Sequence, residues 1–121
     1  MVTKKILLLG ATGFVGRNVA RFLKNENVEF TASSLSMGTD LRDLSQTTSL
    51  LKKTDPDIII NCAAHVGSLN YVTEKAGTVV LDNSRMLLNM NLVSVSYLIR
   101  LPISGSLLLL LLWTSGHLRV G

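Results

Sequence analysis

The chain has 121 residues, of which 47% are hydrophobic and 17% charged, with a formal net charge of +4. A chain of this length holds one domain that buries roughly two-thirds of its unfolded surface, and the composition excludes intrinsic disorder. The twelve lysines and arginines are scattered rather than gathered into a stripe, which excludes a nucleic-acid-binding face.

The lone cysteine, Cys62, allows no internal disulfide and suits a reducing compartment, so a cytoplasmic location is expected. His65 and His117 lie far apart and form no ligand cluster with Cys62, so no metal site is expected. Lys4 and Lys5 precede an apolar stretch, but Gly10, Gly13 and Gly16 interrupt it before an export signal is complete. The apolar run from Leu107 to Trp113 is too short for a bilayer core, which takes about 20 helical residues, and Arg100 and Pro102 precede it. No membrane anchor is expected.

In chain order, "TKKILLL" (3–9) reads as a strand buried on both faces, ended by glycine. From Phe14 the apolar Val15, Val19, Phe22 and Leu23 recur at helical spacing, predicting an amphipathic helix that ends near 25–27. "VEFTASS" (28–34) is a second strand, and a second helix begins near Asp43 or Ser45 and ends in "KKTDP". "DIIINCAA" (57–64), with three consecutive isoleucines, is a third strand suited to a parallel sheet. Between about 72 and 95, Val79, Val80, Met86, Leu87, Met90 and Val93 allow a further helix, whose start Gly77 limits. The alternation predicts an α/β fold, a Rossmann-type doubly wound parallel sheet, incomplete at this length.

"LLLGATGFVG" places Gly10, Gly13 and Gly16 between the first strand and the first helix. In that setting the free N–H groups and positive dipole end of the helix accept a pyrophosphate. Gly10 permits the turn, Gly13 lets backbone approach the phosphates, Gly16 lets the helix pack on the strand, and Thr12 adds a hydroxyl. The spacing is G-x-x-G-x-x-G rather than G-x-G-x-x-G.

"GATGFVG", "TDLRD", "PDIIINCAAHVG" and "LDNSRMLLNM" occur in that order over residues 4–91. Together they resemble the extended short-chain dehydrogenase/reductase superfamily, the NAD-dependent epimerase/dehydratase family of nucleotide-sugar enzymes, with a lean towards its GDP-fucose synthase-like and dTDP-4-dehydrorhamnose reductase-like branches. The resemblance implies that Gly10, Ala11, Thr12, Gly13, Phe14, Val15 and Gly16 form the cofactor loop. It also implies that Asp40 and Leu41 hold the adenine, that Cys62, Ala63 and Ala64 end the strand beside the cofactor, and that Asn83 is the asparagine of the following helix. Small side chains at Ala63 and Ala64 leave room for a cofactor crossing the sheet edge. His65 is read as a polar loop residue rather than a contact for ribose or substrate.

An acid about twenty residues beyond the loop bonds the ribose 2′-OH of NAD. The second strand ends instead at Ser33 and Ser34, which leans towards NADP over NAD. The family's catalytic Tyr-x-x-x-Lys has a match in "YVTEK", Tyr71 to Lys75, but it directly follows the third strand, whereas the family's pair lies on a later helix. Ser115 in "LLLLLLWTSG" imitates the family's catalytic serine, yet the stretch before it departs from the pattern. No catalytic residue is therefore assigned.

Two segments are expected: residues 1–91, the N-terminal part of an NAD(P)-binding domain, and 92–121, a divergent or frame-shifted apolar tail. The expected function is the NAD(P)-binding portion of a nucleotide-sugar epimerase, dehydratase or reductase, catalytically incomplete, with the sugar nucleotide bound only by a full-length form. The alternative is a small nucleotide-binding or regulatory module that completes its sheet with a partner chain. An open sheet leaves edges through which copies self-associate.

Overall fold

The computed structural model describes residues 3–98. The elements are β1 (Ile6–Leu9), α1 (Phe14–Asn25), β2 (Thr31–Ser33), α2 (Leu44–Thr54), β3 (Ile58–Asn61), α3 (Leu69–Glu74) and α4 (Ala76–Leu98), with a single 3-10 turn at Leu35–Met37. The three strands form one parallel sheet in the order β2-β1-β3, with Leu7 opposite Thr31 on one side and Ile59 on the other.

That order fixes the layers. The chain leaves β1 for β2, then returns past β1 to β3, and right-handed crossovers in opposite directions put α1 and α2 on opposite faces. The side chains agree. Leu7 and Leu9 join Leu41, Leu51, Ile59, Met90 and Val93 in one buried cluster, on the face where α2 packs against α4. Leu8, one step out of phase, is fully buried on the other face, where α1 packs on β1. The doubly wound parallel sheet expected from the sequence is therefore present.

Each strand is shorter than its apolar run, for local reasons. Glu26 and Val28 donate to Phe22 and Leu23 carbonyls in the turn that closes α1, with Asn27 at φ 56°, so β2 starts only at Thr31. Lys5 accepts from both Asp57 N–H and Ile58 N–H and donates its own N–H to Asp57 Oδ2, an irregular bridge that delays β1 until Ile6. At the other end, Asn61 Oδ1 accepts the Ala63 N–H at 3.0 Å, which turns the chain out of β3.

The single helix expected at 72–95 is two. Ser68 Oγ accepts the Tyr71 N–H to start α3, Lys75 closes it, and α4 begins at Ala76. Gly77 does not delay α4, because it sits in the first turn. α2 starts as expected, with Asp43 Oδ1 accepting the N–H groups of Ser45 and Gln46. Leu107 to Trp113, Ser115 and His117 lie outside the described residues. Among those described, no helix is long and apolar enough to cross a membrane.

Candidate functional site

In a sheet that is wound both ways, the crevice lies at the carboxyl ends of the strands, where successive helices part to opposite faces. A cleft of about 350 Å³ opens there. Its floor is the glycine loop and its walls are the segments that follow β2 and β3, together with one face of α4.

The loop is held by its glycines. Gly10 has φ 71°, in the left-handed region, and a β-carbon on it would stand 2.5 Å from the Ala63 nitrogen and the Cys62 carbonyl. Gly16, in the first turn of α1, lies against the loop so closely that its β-carbon would overlap the Gly10 carbonyl oxygen. Gly13 is the N-cap of α1 and no side chain caps that end, so the first-turn N–H groups are left to a ligand or water.

Of the residues predicted for the cofactor, Gly10, Thr12, Gly13, Asp40, Leu41, Cys62, Ala63 and Ala64 line the cleft together. The others stand elsewhere. Ala11 is buried, with its N–H donated to the Ser33 carbonyl, and Gly16 is buried under the loop. Phe14 is 79% exposed and Val15 40%. Asn83 holds the wall from behind: its Oδ1 accepts the His65 N–H at 2.7 Å and its Nδ2 donates to the His65 carbonyl at 2.9 Å.

The strand-end serines form part of the wall. Ser33 and Ser34 are buried and line the cleft. Ser34 Oγ lies 3.1 Å from Ser36 Oγ, which in turn lies 3.0 Å from Thr12 Oγ1, so a string of hydroxyls joins the end of β2 to the glycine loop.

Asp40 is not a free carboxylate. Its Oδ1 accepts the Arg42 N–H and Nε–H at 2.9 Å, and its Oδ2 accepts Nη2 at 2.8 Å. This fork of hydrogen bonds from Arg42 holds the Asp40 carboxyl below its ordinary value of 3.8 and raises the guanidinium further. Leu41 is buried, and its carbonyl accepts both Thr47 Oγ1–H and Asn89 Nδ2–H, which anchors this segment to α2 and α4. Cys62 is half-buried, and burial pushes its thiol up.

His65 is in the loop that follows β3, as expected, and its place there is specific. It lines the cleft, and both ring nitrogens are engaged: Nδ1 with Asp82 Oδ2 and Nε2 with the Tyr71 hydroxyl, each at 2.9 Å. Tyr71, and not a Tyr-Lys pair, is the partner in this network. Asp82 was not singled out from the sequence. It is 7% exposed, lines the cleft, and also accepts Arg42 Nη1 at 3.0 Å. Burial raises its carboxyl, but the hydrogen bonds from His65 and Arg42 outweigh that and leave it below its ordinary value. A signal for it existed: Asp82 falls on the same helical stripe as Val79, Met86, Met90 and Val93, where an acid is out of place. Among the described residues no cluster of histidine, cysteine and carboxylates is placed to hold a metal.

Parallel strands wound in both directions around a glycine loop that opens a helix define a Rossmann-type fold. The family profile of the RmlD substrate binding domain matches residues 4–76, and the chain belongs to that family, within the extended short-chain dehydrogenase/reductase group. It is 34% identical over 86 residues to the GDP-L-colitose synthase of Yersinia pseudotuberculosis, a match that covers 71% of this chain and 28% of that protein. Among solved structures it is similar to a dTDP-4-dehydrorhamnose reductase ortholog of Clostridium acetobutylicum, with 27% identity, a TM-score of 0.65 and coverage of 76% of this chain and 32% of that one. A GDP-L-fucose synthetase of Naegleria fowleri bound to NADP is 27% identical, with a TM-score of 0.62 and coverage of 80% and 29%. The chain thus spans less than a third of the length of these relatives.

Proposed function

We propose that the chain is the cofactor-holding portion of a nucleotide-sugar reductase or epimerase, and that its cleft takes NADP. The observation that carries this reading is the uncapped first turn of α1, opened by Gly13, facing a cleft whose β2 wall ends in serines rather than an acid. Pyrophosphate fits the free N–H groups and dipole of α1. A ribose 2′-phosphate fits the hydroxyls of Ser34, Ser36 and Thr12, which donate to phosphate oxygens without an opposing carboxylate at the strand end. The bound nicotinamide supplies hydride chemistry on a sugar carbonyl; this chain's own residues bind and orient.

Gly10, Thr12 and Gly13 hold the phosphates, Leu41, Ala63 and Ala64 flank the adenine, and Asp40, already gripped by Arg42, presents its remaining lone pairs to it. Phe14, Val15 and Gly16 present the first-turn N–H groups of α1 to the pyrophosphate, Ala11 and Asn83 support the site from behind, and Cys62 belongs to the wall that follows β3. Residues 1–91 carry this binding function, and the sugar nucleotide belongs to a longer form of the protein. Titration of the purified chain with NADPH and NADH, followed by nicotinamide fluorescence, tests the reading. Saturable binding with NADPH the tighter ligand is expected; no saturation with either cofactor defeats it.

The second reading, a module that completes its sheet with another chain, draws on the outer edges of β2 and β3, which pair with no strand among the described residues, and on exposed Leu81, Leu88 and Leu92 along α4. Sizing chromatography separates the two: a stable monomer counts against the module.

A further inference from the structure

The cleft walls come from three segments that are distant in sequence: 39–42 after β2, 62–66 after β3, and the Asp82 to Met86 face of α4. Loops of this kind open locally at low cost unless something ties them down. Here one atom ties both. Asp82 Oδ2 accepts Arg42 Nη1–H at 3.0 Å from the first loop and His65 Nδ1–H at 2.9 Å from the second.

The chemistry of the chain of contacts is ordered from end to end. A carboxylate only accepts hydrogen bonds, so His65 Nδ1 carries a proton towards Asp82, and Nε2 meets the Tyr71 hydroxyl, which can donate or accept. The ring is therefore pinned between α4 and α3, while Asn83 pins its backbone on both sides. At the other end, Arg42 donates Nε–H and Nη2–H to Asp40. Asp40, Arg42, Asp82, His65 and Tyr71 form one continuous strap around the cleft. Its central member is a buried carboxylate, whose two partners cannot be replaced by water without cost.

We propose that Asp82 is the positioning residue of the nucleotide cleft, setting the distance between its two loops through Arg42 and His65. This inference rests on the nucleotide reading of the site. Asp82 holds the first loop where Leu41 faces the adenine and the second where Ala63 and Ala64 face it, so that the cleft is preformed before the ligand arrives.

The test uses the full chain, NADPH as probe, and the variants Asp82→Asn and Asp82→Glu. Asp82→Asn is expected to weaken NADPH binding by about tenfold, because both bonds lose the carboxylate's negative charge at once, and Asp82→Glu to recover most of that. A side-chain nitrogen NMR spectrum is the readout that general destabilisation does not reproduce: His65 protonated on Nδ1 in the parent and Asp82→Glu, and shifted towards the other tautomer in Asp82→Asn. NADPH binding by Asp82→Asn equal to the parent's overturns the inference and leaves the cofactor reading standing. A parent chain that does not bind NADPH overturns both. If Asp82→Asn does not fold, Arg42→Gln and Tyr71→Phe, at exposed side chains on the two arms of the strap, replace it; weakened NADPH binding in both supports the inference, and parental affinity in either overturns it.

Discussion

Gly16 packs beneath Gly10 with no room for a side chain between them: a β-carbon on Gly16 would overlap the Gly10 carbonyl oxygen and come within 2.9 Å of the Ala11 α-carbon. This contact joins α1 to the end of β1, and so aims the first turn of the helix at the cleft. Alanine in a helix is favoured over glycine by roughly 0.5–1 kcal/mol, but here the methyl must push α1 away from the strand. Overpacking of this sort costs about 1–3 kcal/mol. Gly16→Ala is therefore expected to lower stability in urea unfolding, despite its better helix propensity. An increase in the unfolding midpoint would contradict the packing described.

Gly13 sets a contrast within the same loop. Its backbone, at φ −74° and ψ 174°, is one that any residue adopts, and an added β-carbon would be 3.5 Å from the Gly10 oxygen, an ordinary contact. Gly13→Ala is expected to change stability by less than about 0.5 kcal/mol. Its methyl nevertheless occupies the space where a phosphate would approach the backbone. NADPH affinity is therefore expected to fall by about tenfold or more while the unfolding curve stays in place. A binding loss matched by an equal stability loss would show that Gly13 serves the fold instead.

The contrast between these two glycines shows what was legible in the sequence. Spacing assigned each glycine a role, and the packing distances agree at Gly10 and Gly16, where a β-carbon would strike backbone, while nothing crowds Gly13. Strand and helix order followed from Ile58 to Ile60 and from the periodicity of α1, because long apolar patterns report burial directly. Strand ends did not, because Asn61 and Asn27 end or delay strands through side-chain bonds and backbone dihedrals that apolar pattern does not register. The break between α3 and α4 was equally hidden: it falls at Lys75, with neither glycine nor proline to mark it. Asp82 was missed for a different reason. It sits beside Asn83, which matched a motif, and its own signal lay in the helical stripe rather than in the motif.

Acid should loosen the strap. The carboxyls of Asp40 and Asp82 both titrate lower in the folded chain than their ordinary value of 3.8, Asp40 through its hydrogen bonds from Arg42 and Asp82 through those from His65 and Arg42, which outweigh its burial. The unfolded chain then binds protons more readily than the folded one as the pH falls. The stabilisation is complete above the ordinary carboxylate value and is lost as the pH drops through the lowered folded values. Thermal unfolding followed from pH 6 down to pH 3 is expected to show a falling midpoint, and the fall should be shallower in Asp82→Asn. Equal slopes in the two proteins would mean that Asp82 does not contribute to acid sensitivity.

Cys62 offers a probe of the cleft itself. It stands just past the end of β3, its N–H is donated to the Leu9 carbonyl, and the residue lines the cleft while remaining half-buried. Burial raises the thiol above its ordinary value of 9.0, so little thiolate is present near neutral pH. Alkylation by iodoacetamide at pH 7.5 is expected to be several-fold slower than that of an exposed cysteine, and to accelerate on unfolding in urea. A nucleotide seated against Ala63 and Ala64 also covers the route to the sulfur. Saturating NADPH should then slow the reaction further, as followed by intact mass, whereas adenine alone, lacking the phosphates that the glycine loop grips, should protect far less. Rapid alkylation of the folded chain, unaffected by NADPH, would place the nucleotide away from the end of β3.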